Sequence, residues 1–261
     1  HTPMRYLWDP DFLRGELPAG LRPAARALLP RLRRADLRGA RQPDVILANS
    51  RAVADRIKDW WGRQAQVVHP PVDIDRFRSI ERRPQDAYLV LGRLVPYKRA
   101  EVAVAACERL GRSLWVVGEG RNFSRVRQVA GPHTEFLGGV DDAELPELLS
   151  QARALLFPGE EDFGIVPVEA QAAGLPVIAY GAGGALDTVI DGVTGVLYPE
   201  PSVAGLCRAI ERFESLELDP ARARDNAGRF GPDRFRQQIS RVLVETARGA
   251  AAGAPVRAQP A

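Results

Sequence analysis

Two carboxylates separated by seven residues stand out in the second half of the chain, at Glu161 and Glu169. Glu161 lies in a loop after the apolar run 154–157, which predicts a buried parallel strand. Glu169 lies in the segment 165–173, which predicts a helix ended by glycine and proline. Carboxylates accept hydrogen bonds from sugar hydroxyls, so the pair suits a sugar and a ribose. The alternative is that both are solvated acids around the start of a helix.

The residues between these carboxylates predict a helix start at Phe163, Gly164 and Ile165. The first N–H groups of a helix have no acceptor within it and form its positive end, so they suit a phosphate. The apolar run 177–180 predicts the next strand. Such a strand–loop–helix–strand unit binds ligands beyond the carboxyl ends of its strands.

A basic group follows the predicted strand 87–91, at Arg93 and Lys98, with Gly92 at the strand end. A glycine there lets the backbone approach a ligand closely. The planar fork of arginine and the point charge of lysine both suit phosphate oxygens. Taken alone, the same spacing also fits a solvated basic turn.

Alternating strands and helices position these groups and predict an α/β fold with a parallel sheet. Gly139 and Val140 close one of the strands, and Asp142 is expected to cap the helix after it. The remaining strands are predicted at 114–117, 135–137 and 194–198. One helix is predicted to end at 110, and further helices are predicted over 121–130, 142–152, 186–190, 202–213, 221–229 and 232–246.

The first part of the chain carries leucines at helical spacing over residues 12–41. Pro18, Pro23 and Pro30 are expected to divide this stretch into short helices. Its arginines occupy the polar positions, which fits a solvated face, although basic helices also contact anionic membranes. Residues 45–48 predict a buried strand.

Composition limits the class of protein. The 261 residues carry a net charge of +3 with acids and bases interspersed, which gives no nucleic-acid footprint. Cys107 and Cys207 are too isolated for a disulfide framework or a metal site, so we expect core residues in a reducing, cytoplasmic setting. No apolar run reaches membrane-spanning length.

The sequence from Glu161 to Glu169 resembles a family signature. It contains Phe163-Gly164 and is followed by Ala-Ala-Gly-Leu-Pro-Val-Ile-Ala, as in the E-x7-E motif of retaining family-4 glycosyltransferases of the GT-B fold. Other segments that resemble motifs of that family occur in the family's order, from His1 to about Phe235. The resemblance implies two Rossmann-like lobes with parallel sheets, the first incomplete and the second complete.

The resemblance also implies a domain plan. Residues 1–69 would be the C-terminal part of the acceptor-side lobe, which would lack its N-terminal strands. Residues 70–229 would be the nucleotide-sugar lobe. Residues 230–248 would be a helix that crosses back to the first lobe, and 249–261 a disordered tail.

Site roles carried over by resemblance concern both ends of a nucleotide sugar. In the family, the counterpart of Glu161 contacts the donor sugar and that of Glu169 the ribose. Arg93 and Lys98 match the pair that clamps the diphosphate. Gly139 and Val140 match a turn that packs on the nucleotide base.

The first residues, His1-Thr-Pro-Met-Arg-Tyr-Leu-Trp-Asp9, are similar to a sequence found in mannosyltransferases and related sugar transferases of the same family. There the histidine ends a strand and faces the donor sugar, so His1 is a further catalytic candidate and the residues after it are expected to be a loop. A mannose donor, in the guanosine diphosphate form, is the donor this text implies.

The implied function is transfer of a hexose from a nucleotide diphosphate sugar to a hydroxyl of a glycan or glycolipid, with retention and without a metal or other cofactor. Two alternatives stay open. One is a non-catalytic nucleotide-sugar binder. The other is a different GT-B enzyme, such as a phosphorylase, which a lysine-bound pyridoxal phosphate would mark, or a sugar-nucleotide epimerase.

Overall fold

The computed structural model describes residues 2–17 and 19–251. The predictions made for His1 and for residues 252–261 therefore lie outside the described residues. The chain divides into two compact units. The second unit is Pro71–Pro232, and the first comprises the described residues on either side of it.

The first unit is mainly helical, with a small parallel sheet. Its two strands pair Leu47 with Gln66 and Ala48 with Val67. Ser50 caps the helix that follows the first strand, since its Oγ accepts from the Val53 N–H at 3.1 Å. The elements are α1 (Arg5–Trp8), α2 (Pro10–Glu16), α3 (Arg22–Ala40), β1 (Leu47–Ala48), α4 (Arg51–Trp61) and β2 (Gln66–Val67).

Two expectations for this unit are wrong. Pro23 and Pro30 do not divide the arginine-rich stretch, because α3 runs unbroken through both. Pro23 falls in the first turn, where its missing N–H has no partner to lose, and the good helix formers around Pro30 carry the helix past one lost bond. The start of the chain is not all loop, since α1 forms one helical turn.

The second unit is an α/β domain around a six-stranded parallel sheet. The strands are β3 (Ala87–Leu91), β4 (Ser113–Val117), β5 (Thr134–Gly138), β6 (Leu155–Phe157), β7 (Val177–Tyr180) and β8 (Gly195–Tyr198). Their order across the sheet is β5-β4-β3-β6-β7-β8. The order therefore reverses between β3 and β6, which makes the gap beyond these two strands the topological switch point.

Helices connect the strands of this unit. They are α5 (Asp75–Arg78), α6 (Ala100–Leu110), α7 (Phe123–Gln128), α8 (Leu145–Gln151), α9 (Ile165–Ala172), α10 (Ala185–Thr188), α11 (Val203–Glu214) and α12 (Pro220–Ala227). Asp142 does not cap α8 as expected, because the helix begins at Leu145, where Pro146 favours a first turn. The last helix, α13 (Pro232–Ala251), belongs to the first unit from Asp233 onward, and it extends into the segment expected to be disordered.

Both faces of the large sheet are buried. Leu89 and Phe157 pack on one side, in a cluster with residues of α8 and α9. Tyr88 and Leu156, their neighbours in sequence, pack on the other side with residues of α6 and α11. Cys107 and Cys207 lie in this second cluster, which confirms that they are core residues. Burial raises the pKa of the Cys107 thiol to about 12.

Candidate functional site

The predicted basic and acidic groups meet at the switch point of the large sheet. β3 pairs with β6 through Leu89 and Leu155, so the turns after these two strands are neighbours. A small cavity at their carboxyl ends is lined by residues of both turns, among them Gly92, Arg93, Lys98 and Glu161. This edge is where doubly wound sheets bind ligands.

Lys98 and Glu161 form an ion pair across this cavity. The Lys98 Nζ lies 2.8 Å from the Glu161 Oε1, and each side chain is 20% exposed. The same Oε1 atom is buried and has no partner with hydrogen-bond geometry among the described residues, so the contact is one of charge rather than an aligned hydrogen bond. The carboxylate thus keeps acceptor capacity that a hydroxyl in the cavity can use.

Gly159 allows this pair to form. Lys98 ends the 3₁₀ turn Pro96–Lys98, which packs directly on the loop after β6. A Cβ at position 159 would lie 2.6 Å from both the Lys98 Cα and the Tyr97 carbonyl oxygen. Real Cβ atoms do not approach so closely, so only glycine lets the two turns come together.

The loop that carries Glu161 is fixed from its other side by the glycine-rich turn after β7. The Gly184 N–H donates to the Glu161 carbonyl at 2.8 Å. A Cβ at Gly184 would collide with the backbone of Phe163. Phe163 itself is buried and packs edge-on to Phe230, with ring centroids 5.5 Å apart. The backbone around Glu161 is therefore held in one position.

The side chain of Arg93 differs from that of Lys98 in having no ion-pair partner. Arg93 lies in the turn after β3 and is exposed, and its guanidinium makes no ion pair or hydrogen bond with the described part of the chain. A guanidinium left in solvent beside a cavity is available to an incoming anion. Arg93 and Lys98 thus line the same cavity, and their contact with a diphosphate stays a prediction.

The helix start between the two carboxylates is present as well. α9 begins at Ile165, with Gly164 as its N-cap in the left-handed region at φ 86°. Its first-turn N–H groups have no acceptor in the helix, and Pro167 brings none. Ile165 is 48% exposed, so this end of the helix is open to a ligand.

Glu169 is half-buried on α9 and is not among the residues that line the cavity of Lys98 and Glu161. Burial raises the pKa of its carboxyl, Arg76 opposes this, and the charges of Asp142 and Asp73 add to the rise. Asp142 follows the turn formed by Gly139 and Val140. The structure therefore brings Glu169 within electrostatic reach of the turn that was predicted to pack on a base.

The glycines at 159 and 184 and the arginine at 76 are not among the predicted site residues. Residues 181–184 are rich in glycine, but a glycine-rich turn alone carries little information about what it packs against. The reason for Gly159 and Gly184 is the close approach of a second turn, which only the three-dimensional fold reveals. His1 lies outside the described residues, so its predicted contact with a donor sugar stays a prediction.

Taken together, the second unit is a Rossmann-like α/β lobe, with two cations, a carboxylate and a helix start at its switch point. These groups can bind a diphosphate and a polyhydroxylated ligand at once. No helix in the described part of the chain is long and apolar enough to cross a bilayer.

Comparison with known proteins gives the family. The sequence profile described as "Glycosyl transferases group 1" matches residues 72–230. The chain therefore belongs to this glycosyltransferase family, and the profile covers nearly all of its second unit.

Curated relatives are similar over most of this chain. Glycogen synthase of Mycobacterium tuberculosis is 34% identical over 204 residues, which are 72% of this chain and 49% of that protein. The GDP-mannose-dependent alpha-(1-6)-phosphatidylinositol monomannoside mannosyltransferase of Mycolicibacterium smegmatis is 31% identical over 228 residues, 76% of this chain and 59% of that protein. The chain thus spans about half the length of these relatives.

Solved structures share the fold. Sucrose-phosphate synthase from Thermosynechococcus elongatus superposes with a TM-score of 0.71 at 23% identity, over 83% of this chain and 62% of that one. Anabaena Alr3699/HepE, solved in complex with UDP-glucose, gives 0.69 at 23% identity, over 81% and 67%. The predicted fold class, α/β of the GT-B type with parallel sheets, is confirmed.

Proposed function

We propose that this chain is the nucleotide-sugar-binding part of a retaining family-4 hexosyltransferase, which moves a hexose from a nucleotide diphosphate sugar to an acceptor hydroxyl without a metal ion. The observation that carries the proposal is the meeting of Arg93, Lys98 and Glu161 at one cavity of the switch point. Cations there face a diphosphate while the carboxylate faces the sugar.

The chemistry follows from where charge develops. As the bond between the anomeric carbon and the diphosphate breaks, negative charge grows on the leaving phosphate oxygens. Arg93, Lys98 and the first N–H groups of α9 are positive groups preset at the cavity or beside it, and such groups stabilise a developing charge strongly. With two side-chain cations and a helix start in place, no divalent ion is needed for neutralisation.

The donor and acceptor are the finer part of the proposal. We infer GDP-mannose as donor, because the text at the start of the chain resembles mannosyltransferases and one relative is named GDP-mannose-dependent. Glu169 would bind the ribose, Gly139 and Val140 the base, and Phe163, Gly164 and Ile165 the diphosphate. The acceptor would be a hydroxyl of a glycan or glycolipid.

Calorimetric titration tests this directly. The chain is titrated with GDP, UDP and ADP, and then with the corresponding mannose and glucose donors. We expect binding of a nucleoside diphosphate, with GDP preferred. Absence of binding for all three nucleotides overturns the proposal, and preference for another base overturns only the donor assignment.

A non-catalytic binder would show the same titration but no transfer. The two are separated by incubating the chain with donor and a panel of glycan and glycolipid acceptors, and by following release of nucleoside diphosphate. A hexosylated product with the donor's anomeric configuration supports a retaining transferase. Binding of the donor without any hexosylated product supports the binder.

Peripheral membrane contact belongs to the same proposal. On α3, Leu28 and Leu32 are 52% and 46% exposed, and Arg31 and Arg34 beside them are exposed too. An apolar stripe flanked by cations suits the surface of an anionic bilayer. Sedimentation with anionic vesicles and with neutral vesicles tests the contact, and equal binding to both contradicts it.

A further inference from the structure

Glu169 is surrounded by more negative than positive charge. Three charged groups act electrostatically on its carboxyl, the carboxylates of Asp73 and Asp142 and the guanidinium of Arg76, which lies on a helix that packs against α9. Its own burial also opposes ionisation. A carboxylate accepts hydrogen bonds from both hydroxyls of a ribose when it is ionised, because protonation turns one of its oxygens into a donor. Ionisation of Glu169 therefore depends on Arg76, which is the one cation among these three groups.

Arg76 is held in place by packing. It lies on α5, a short helix that contacts α9. Phe77, the next residue, is fully buried in the cluster that also contains Val168 and Ala172 of α9. The Arg76 guanidinium lies 5.1 Å from the Phe77 ring centroid and 3.7 Å from the Asp142 carboxylate, and its side chain is 29% exposed. Arg76 is thus anchored to the core beside Glu169.

The other helices against α9 do not replace it. Arg224 of α12 donates to the Ala173 carbonyl, at the opposite end of α9 from the switch point. Asp187 of α10 is buried and is an acidic residue, so it supplies no cation. The remaining charged residues of these two helices are Arg222 and Asp225.

We propose that Arg76 is the counter-charge that keeps the Glu169 carboxylate ionised for binding a nucleotide ribose. The inference rests on the proposed function, because it assigns a positioning residue to the same donor site. Arg76 acts through Glu169 and Asp142 and need not touch the ligand. Arg76 lies on α5, shortly after residues 71–73, so the part of the chain that opens the second unit would contribute to nucleotide binding.

The consequence is a pH dependence with a definite sign. The pKa of Glu169 is already raised, so nucleotide affinity falls as the pH drops through that pKa. Removing the Arg76 charge raises the pKa further, so the loss of affinity begins at a higher pH. Each unit by which the pKa rises corresponds to about a tenfold loss at the acid end.

The test compares Arg76→Gln, Arg76→Lys and Arg78→Gln across about pH 5 to 8. Arg78 lies on the same helix, is exposed and pairs with Asp75, so it is the matched control. Calorimetry measures the affinity for a nucleoside diphosphate, and carbon-13 NMR of the glutamate carboxyls measures the Glu169 midpoint without any ligand. Glu169→Gln assigns the resonance.

We expect Arg76→Gln to move both the NMR midpoint and the affinity profile to higher pH. Arg76→Lys should largely restore them, and Arg78→Gln should match the wild type. In a Glu169→Gln background, the Arg76 substitution should no longer shift the profile. Unchanged midpoints in Arg76→Gln overturn the inference while nucleotide binding stands. Failure of the wild type to bind any nucleoside diphosphate overturns the proposed function and this inference with it.

Discussion

The Lys98 Nζ lies 2.8 Å from the Glu161 Oε1. The residue predicted to bind the phosphate is therefore paired with the residue predicted to bind the sugar. Each charge therefore occupies the place of the ligand group that the other is to meet. The pair compensates two partly buried charges within the protein itself. A donor that brings both a diphosphate and hydroxyls can separate them without leaving either charge unmatched.

The arginine clamp gives the first prediction. Arg93→Ala should weaken the affinity for a nucleoside diphosphate by about 1.5–3 kcal/mol, because charged hydrogen bonds contribute about that much each. Calorimetric titration measures the change. Arg127→Ala is the control, since Arg127 is also exposed but lies on α7, away from the cavity residues. Unchanged affinity in an Arg93→Ala, Lys98→Ala double variant contradicts the clamp.

The two carboxylates should lose different functions. Glu169→Ala should weaken nucleoside diphosphate and complete donor alike, as loss of a ribose contact does. Glu161→Ala should spare the nucleoside diphosphate and reduce the discrimination between donor sugars, since a site built for a hydroxyl rejects analogues that lack it. The affinities of both variants for nucleotide and for donor decide this. Equal losses for both ligands in both variants would show that the roles are wrongly assigned.

The close approach at Gly159 predicts a linked loss of stability and binding. Gly159→Ala should lower the free energy of unfolding by about 1–3 kcal/mol, because the added Cβ must displace a packed turn. The displaced turn carries Lys98, so nucleoside diphosphate affinity should fall as well. Gly39→Ala, where the new Cβ meets nothing within 4 Å, is the control. Denaturant unfolding and titration measure the two effects, and wild-type values for Gly159→Ala would refute the close contact.

Metal independence is a further expectation. Binding of nucleoside diphosphate should be the same with EDTA as with added magnesium, since cations of the chain do the neutralising. Asp73 and Asp75 form an Asp-x-Asp sequence near α9, so a metal effect has a definite place to be sought. If binding is lost in EDTA and restored by magnesium, and if Asp75→Asn abolishes the restoration, a metal takes part.

A carboxylate far from the site sets a pH dependence of stability. Glu214 accepts from Arg112 at 2.8 and 2.9 Å and from the Tyr88 hydroxyl at 2.9 Å. Its hydrogen bonds to Arg112, chiefly, and then to Tyr88 hold the pKa of Glu214 below its usual value. The stability that it adds is present above the unfolded-state pKa and is lost as the pH falls through the folded-state pKa.

Glu214→Gln should therefore lower Tm near neutral pH, by an amount equivalent to about 1 kcal/mol, since Arg112 is more than a third exposed and screened. The difference from wild type should shrink toward acid pH. Glu217→Gln, at an exposed glutamate in the following turn, should leave Tm unchanged throughout. A difference that stays constant from neutral to acid pH would contradict the assigned role.

The sequence alone determined the character of each segment of the second unit. Alternation of apolar runs with helical patterns is a local signal, so it predicted every strand of the large sheet to within a residue or two. The glycine, basic and acidic residues at strand ends were equally visible, because strand ends are marked by local chain chemistry. Asp142 and Pro30 mark the limit of this approach, since caps and breaks depend on the whole helix around them.

Only the tertiary structure decided which of these groups meet. Arg93 and Lys98 precede Glu161 by more than sixty residues, and their meeting depends on the strand order that places β3 beside β6. The roles of Gly159 and Gly184 arise from backbone contacts between distant turns, and that of Arg76 from the packing of Phe77 on α9. Such relations are set by long-range packing, which no local pattern of residues encodes.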